Sequence, residues 1–545
     1  MALHVPKVPN YVSMLKEGTR HFEGLEEAVF RNIEACVAIA KNTRSTYGPG
    51  GQNKIVINHI GKQFVTNDAV TILRELEVQH PAAKMLILAT QQQEQEAGDG
   101  TNIVFRLAGA LLDNARDLLK MGLSVAQIIE GYEMASKKAL EFLDEIVVKE
   151  VKNCRDKSEV APLIKTSIMS KQIDISQFLS DLIASACISI MPDDGDFNVD
   201  NVRVLKVLGS GVDSSSLVKG MVFRRDVEGD VKEVNQSKIA IYSCPLEALQ
   251  TETKGTVLLH TAEELKQFSE GEENQMEKLL TSIANSGVKV IVSGGKISEL
   301  ALHYANKLGI MLVRLVSKFD VRRLCKSTGA TPLPTLTVPT ADGLGFIDHV
   351  KIDEIADTNV VVFERGGKDG VMVTLVLRGS TDNILDDTER AVDDSVNTYK
   401  ALTRSNKVVA GAGACEIELA RRLLSYADTI PGLEQYAIRE FARSFEIIVK
   451  ALSENAGEKA TEIIADLYAR HQAGEINAGF VTLPKKDPSI CDAVKAEVLD
   501  LYNTKRWAIR FASNAACTVL RVDQIIMSRP AGGPKPRDPR AADED

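Results

Sequence analysis

Four short stretches of this 545-residue chain combine residue types that handle anions and metals. In Ala97-Gly-Asp99-Gly-Thr-Asn102 a carboxylate sits between two glycines, with hydroxyl and amide side chains following at a helix start. A hard cation such as Mg²⁺ takes the carboxylate, while helix N–H groups and Thr101 suit phosphate oxygens. The plain alternative is a turn with a helix cap, although two glycines exceed what a cap needs. Ser45-Thr-Tyr-Gly48-Pro49-Gly-Gly-Gln-Asn-Lys54 has glycines that let main-chain N–H groups approach an anion, with Lys54 nearby. A solvated Gly/Pro turn explains the same residues. Thr66-Asn67-Asp68-Ala69 puts Asp68 directly after a strand, where it serves either chemistry or as the N-cap of the next helix. Last come Asp386 through Asp394 and Val409-Ala-Gly411-Ala412-Gly413, which read equally as a solvated acidic helix face and a turn. Walker A, kinase and dinucleotide fingerprints are absent; Gly294-Gly295 lacks the third glycine.

These residues need a large scaffold. A chain of this length exceeds one ordinary core, so two or three domains are expected. From Gly24 to about Glu150 the pattern is helical. Ser124 and Gln127 have capping-box spacing, and Ile128, Ile129, Tyr132, Ala135, Ala139 and Phe142 form one apolar stripe. Two short strands, Lys54–Asn58 and Gln63–Thr66, interrupt it as a hairpin, a candidate arm for reaching a neighbour. The middle alternates strand and helix: Val288-Lys-Val-Ile-Val, a helix over about Ser298–Lys307, Met311–Val316, then a helix at Val321. Before it, a charged helical pair from Thr261 to Leu280 breaks the α/β rhythm and reads as a protrusion. After Leu377-Arg378 the chain is expected to be helical to Ser528, with a polar tail from Pro530.

The bulk numbers exclude several classes. A net charge of −10 makes nucleic acid a poor partner. The eight cysteines form no CxxC pair, which argues against zinc and for free thiols in a reducing compartment. No apolar run approaches the roughly 18 residues of a membrane span.

The order of motifs resembles that of the group II chaperonins. Gly48-Pro49-Gly-Gly-Gln-Asn-Lys54, Asn67-Asp68-Ala69, His80-Pro-Ala-Ala-Lys84, Gly98-Asp99-Gly100-Thr101-Asn102 and Thr166-Ser-Ile-Met-Ser-Lys171 occur in family order. Leu377-Arg-Gly, Glu389-Arg390, Asp394, Gly411-Ala-Gly413 and Leu520-Arg-Val-Asp-Gln follow, so the resemblance covers nearly the whole chain. Details such as Ala391-Val-Asp-Asp394 and Pro530-Ala-Gly-Gly-Pro are similar to one subunit type of the eukaryotic cytosolic members.

The resemblance implies a mixed α and α/β fold. A mainly helical equatorial ATP-binding domain would span 1–150 and 405–528, and a small intermediate domain 151–217 and 372–404. An α/β apical domain would span 218–371, with a lid protrusion at about 252–277, and 529–545 would be a flexible tail. It implies a double-ring, ATP- and Mg²⁺-dependent chaperonin subunit in the cytosol, closing a lid over clients such as actin and tubulin. Its partners would be paralogous subunits, with no nucleic acid and no membrane. The hairpin and the terminal strand Val522–Met527 would pair between neighbours.

By the same resemblance Asp99 holds Mg²⁺, while Ser45, Gly48, Pro49, Gly100, Thr101 and Asn102 surround the phosphates. Asp394 orients the attacking water, with Asp68 the second carboxylate. Gly411 and Gly413 line the nucleoside, Asp500 faces ribose and Lys171 senses the nucleotide. Ala69, Asn102, Ala412 and Ser45 depart from the usual Gly, Thr, Gly and Thr, and Gly479-Phe-Val lacks the usual aspartate. If Ala69 or Ala412 takes positive φ, strain of about 1 kcal/mol or more follows. The expectation is therefore a working site of slow turnover or weak binding; the rival is a mainly structural ring member that retains nucleotide. A stand-alone small-molecule ATPase also accounts for the phosphate loops, though not for the hairpin or protrusion.

Overall fold

Apolar periodicity sets the two architectures seen in the computed structural model, which describes residues 20–22, 25–193, 196–247, 261–366, 372–482 and 488–527. The chain divides into two compact units. One is built from the segments up to Glu150 and from Lys407 onward, the other from Val151–Asn406.

The first unit is a helical assembly around one large core. Leu25–Asn42, Pro81–Ala97, Thr101–Lys120, Val125–Glu145, Ala414–Ala427, Glu434–Ser444 and Tyr502–Leu520 all contribute to it. The helix Val125–Glu145 starts with the expected capping box between Ser124 and Gln127. Ile128, Ile129, Tyr132, Ala135 and Ala139 are buried as the stripe requires. Its last turn differs: Leu143 takes the deep position, while Phe142 is half-buried with Lys138 over its ring. The hairpin is present as Lys54–Ile57 paired antiparallel with Gln63–Thr66. Ile55, Ile57 and Ile60 on it are exposed.

The expectation of continuous helix after residue 379 is corrected by short strands. Lys407–Ala410 lies between Leu499–Leu501 and Lys149–Glu150, and Ala478–Val481 pairs with Ser489–Asp492. Strands of two to four residues carry too few alternations to register as a period. The terminal strand Ile525–Met527 pairs antiparallel with Arg20–Phe22 of the same chain, an intrachain partner that the sequence reading did not foresee.

The second unit holds an eight-stranded sheet. Its strand order is Val202–Leu208, Val373–Gly379, Ser216–Phe223, Thr358–Glu364, Gly345–Ile355, Glu233–Tyr242, Val288–Ser293 and Met311–Arg314. The last three run parallel, and the helix Glu299–Lys307 joins the final two, as the strand–helix alternation predicts. Along Val288–Ser293 the side chains divide between two clusters. Val290 and Val292 enter one apolar cluster, Val288 and Ile291 the other, so both faces are covered. Three helices, Lys157–Met169, Ser176–Ile190 and Asp382–Arg404, pack together in this unit. Ala262–Asn285 runs as one helix through Gly271, where a helical pair was expected. The first part of the expected lid protrusion, 252–260, and the tail beyond 527 lie outside the described residues. All eight cysteines are free.

Candidate nucleotide site

In the first unit, three glycine turns are drawn together by two helices. The turn Gly98-Asp99-Gly100 joins Pro81–Ala97 to the 20-residue helix Thr101–Lys120, and both glycines are left-handed, with φ of 70° and 77°. Glycine adopts that region without a Cβ clash. The Asp99 carboxylate accepts the Gly100 N–H at 2.6 Å, which fixes it at the positive end of the helix. Beneath it, buried Gln93 donates to the Asp99 carbonyl at 2.9 Å and to that of Thr504 at 3.2 Å. This ties the turn to the start of Tyr502–Leu520.

The loop at Gly48 is held by the helix Glu446–Asn455. Asn455 Nδ2 donates to the Tyr47 carbonyl at 2.8 Å and the Arg44 carbonyl at 3.1 Å. A Cβ on Gly48 would stand 2.5 Å from Leu452 Cδ2, and one on Gly50 2.5 Å from the Asn455 carbonyl. One turn back on the same helix, Val449 would meet a Cβ on Gly413 at 2.4 Å. Val449, Leu452 and Asn455, at i, i+3 and i+6, therefore seat both glycine loops along one helical face.

Gly411 touches the third support: its N–H donates to Val498 at 3.0 Å, and a Cβ there would lie 3.3 Å from Asp500 Cγ. Asp500 sits on Leu499–Leu501 opposite Val409 and is paired with Lys505 at 2.9 Å. Lys505 is buried and also paired with buried Glu416. Burial pulls the Lys505 pKa down, but Asp500 and Glu416 outweigh it and hold it well above the ordinary lysine value. Tyr47, within the electrostatic reach of that cluster, has its hydroxyl pKa pushed up by burial.

Asp68 caps the helix Ala69–Glu75, its carboxylate accepting from Thr71 N at 3.0 Å and Thr71 Oγ1 at 2.7 Å. The capping reading of Asp68 thus holds in this structure. That helix packs against Pro81–Ala97 and Thr101–Lys120, the two that the Asp99 turn joins. Ala69 is the first residue of a right-handed helix, so no strain attaches to it. Ala412 is different: its φ is +55°, followed by Gly413 at +80°. The expected strain exists at that position alone of the two.

In the second unit, Lys171 follows the helix Lys157–Met169 and its ammonium lies 2.6 Å from the Asp394 carboxylate. Around them on Asp382–Arg404 are Asp387, paired with Arg390 at 2.9 Å, and Glu389, paired with Lys206 at 2.7 Å. Burial raises the Asp387 pKa against the pull of Arg390 and Lys171.

The first unit fits a magnesium nucleotide on its own features. Glycines 48, 51 and 100 form cradles that a Cβ would fill. Asn102 Oδ1 is a buried polar atom without a hydrogen-bond partner among the described residues. Among the described residues no group of three His, Cys, Asp or Glu gathers to hold a metal. A single carboxylate matches an ion that keeps several waters and completes its shell with phosphate oxygens.

Sequence reasoning missed Gln93, Asn455, Glu416 and Lys505. Each is an ordinary helical residue with at least one partner far along the chain, so no local pattern marks it.

Known proteins resemble this chain along nearly its whole length. The chain is 59% identical over 536 residues to the T-complex protein 1 subunit theta of Homo sapiens, with 98% of each chain covered. The Mus musculus protein of the same name gives the same identity and coverage. That of Caenorhabditis elegans is 51% identical over 547 residues, covering all of this chain and 99% of its own. The TCP-1/cpn60 chaperonin family profile matches residues 39–530, and the chain belongs to that family.

Proposed function

We propose that this chain is one subunit of a hetero-oligomeric, double-ring chaperonin of the cytosol, coupling Mg·ATP hydrolysis to closure of a lid over client polypeptides such as actin and tubulin. The observation that carries this reading is the seating of the Gly48 and Gly413 loops on one face of Glu446–Asn455. The Asp99 turn, tied to Tyr502–Leu520 through Gln93, adds the metal carboxylate.

In this reading Asp99 holds Mg²⁺, which when bound neutralises phosphate charge. Main-chain N–H groups from Gly48 to Gly51 and at the head of Thr101–Lys120 bind phosphate oxygens, together with Ser45, Thr101 and Asn102. Asp500, 2.9 Å from the Lys505 ammonium, can accept from a ribose hydroxyl, and Gly411 and Gly413 leave room for the nucleoside. Asp68 is the second carboxylate. Asp394 orients the attacking water and Lys171 responds to the nucleotide. The left-handed Ala412 and the substitution at Asn102 favour a site slower or weaker than usual.

The domain reading is equatorial over 1–150 and 405–528, intermediate over 151–217 and 372–404, and apical over 218–371. The exposed isoleucines of the hairpin Lys54–Thr66 support its docking to a neighbouring subunit through an open strand edge. Among the described residues, no helix is long and apolar enough to cross a membrane. Negative-stain imaging of the tagged chain, purified from its native cytosol, tests the proposal. A double ring containing other subunits is expected; elution as a single chain overturns it.

A further inference from the structure

A cavity of about 160 Å³ opens among the helices Leu25–Asn42, Thr101–Lys120 and Glu446–Asn455. Of its lining residues only Arg44, through its main-chain carbonyl, helps to hold the nucleotide loop, and no lining side chain is assigned to nucleotide. Its charged lining is Lys41, Arg44, Arg106, Lys450 and a single acid, Asp113. Asp113 is paired with Arg116 at 2.6 Å, and Arg44 with Glu454. Those pairings leave the charges of Lys41, Arg106 and Lys450 in excess.

Arg106 is the unusual member. It lies mid-helix in the buried run Ile103–Leu107 and is only 3% exposed. Its Nη2 makes one long bond to the Ile447 carbonyl, at 3.4 Å. Nε and Nη1 are buried and have no hydrogen-bond partner among the described residues. The guanidinium also stands 5.9 Å from the Tyr47 ring. A buried cation with two unmet donors is costly unless an anion meets it. Burial and the neighbouring Arg44 bring its pKa down to about 10, so it is still charged at neutral pH.

We propose that this cavity binds a phosphate-class oxyanion, met by the Arg106 donors and by the ammonium groups of Lys41 and Lys450. Guanidinium–phosphate pairing is charge-assisted and directional, which suits a fixed, buried arginine. The volume is well below the roughly 300–1,000 Å³ of pockets for drug-sized ligands, so one tetrahedral group fits and a nucleoside does not. Arg44 and Tyr47 border the Gly48 loop, which places this anion behind that loop and separate from the nucleotide.

The test is equilibrium dialysis of radiolabelled inorganic phosphate against the full chain in its native assembly, with ATP in excess to fill any nucleotide site. Binding that survives ATP is expected, weakened about tenfold by Arg106→Met and about threefold by Lys450→Gln, and tightened by Asp113→Asn. Lys450 is exposed, so its variant tests the site even if Arg106→Met fails to fold. Competition by phosphoserine would identify a phosphorylated macromolecule as the source, and its absence free phosphate. Loss of all phosphate binding on adding ATP, or binding by both cation variants equal to that of the unaltered chain, overturns the proposal. Because ATP only blocks a competing site, failure of the nucleotide reading leaves this result interpretable.

Discussion

The Lys171 ammonium lies 2.6 Å from one Asp394 oxygen, with the lysine side chain 7% exposed and the aspartate 21%. A carboxylate so engaged presents fewer acceptor sites to a water molecule until the lysine shifts. The pair therefore links the residue assigned to nucleotide sensing with the residue assigned to chemistry.

Replacing Asp394 separates binding from turnover. Asp394→Ala should leave ATP affinity within about twofold and lower this subunit's turnover roughly a hundredfold or more, as for loss of a general base. Other subunits of a ring would mask a change in total rate, so nucleotide must be resolved at this one site. Unchanged conversion of ATP to ADP there would remove Asp394 from the mechanism. If the unaltered site also retains ATP, the mainly structural role is correct.

In the proposed site Asp99 acts through the metal. Asp99→Ala should weaken Mg·ATP binding and hydrolysis together, because the phosphates lose the cation that neutralises them. A titration of magnesium against nucleotide occupancy checks this; normal affinity with lost turnover contradicts the assignment.

Ala412 should respond to removal of its side chain. Its φ of +55° costs an L-residue about 1–2 kcal/mol, and the entropy of a new glycine in the unfolded chain returns about 0.4–1 kcal/mol. Ala412→Gly should thus stabilise the chain by about 0.5–1 kcal/mol, measured by denaturant titration. Gly413→Ala should do the opposite by 2 kcal/mol or more, since its Cβ would lie 2.4 Å from Val449 Cγ2 at a φ of +80°. Equal effects of the two substitutions would contradict the backbone seen here.

Glu418 predicts an acid limit to stability. Its side chain is buried, and although burial alone raises its pKa, hydrogen bonds from His471, Arg421 and Arg422 bring it down to about 2. A depressed carboxylate contributes stability that is present above its unfolded value near 4.5 and lost as pH falls through about 2. The contribution is of order 3 kcal/mol. Melting temperature measured from pH 6 down to 2 should fall over that window, and Glu418→Gln should flatten the fall while lowering the plateau. An unchanged slope in the variant would show that other carboxylates dominate.

Much of the scaffold was legible in the residues because it rests on local rules. The Ser124 capping box, the hairpin before Asp68 and the strand Val288–Ser293 each express one backbone preference within a few residues. What was hidden is long-range. Nothing local distinguishes Asn455 from any amide at a helix end, yet it fastens the Gly48 loop. Lys505 reads as a surface lysine until its two carboxylate partners enclose it. The substitutions at 69 and 412 looked alike in sequence. They separate because one begins a right-handed helix and the other sits in a left-handed turn.

The clamp from Asn455 to the Arg44 carbonyl spans 411 residues, and this distance sets a schedule for synthesis. At about 5–20 residues per second, the loop waits roughly 20–80 s after it is made before the helix that holds it exists. During that interval Val151–Asn406, a continuous segment with its own cores, can reach its final form while the earlier segment remains unfinished. A ribosome-bound fragment ending before Asn455 would therefore lack the proposed nucleotide pocket, and the newborn chain would engage ATP there only near the end of translation.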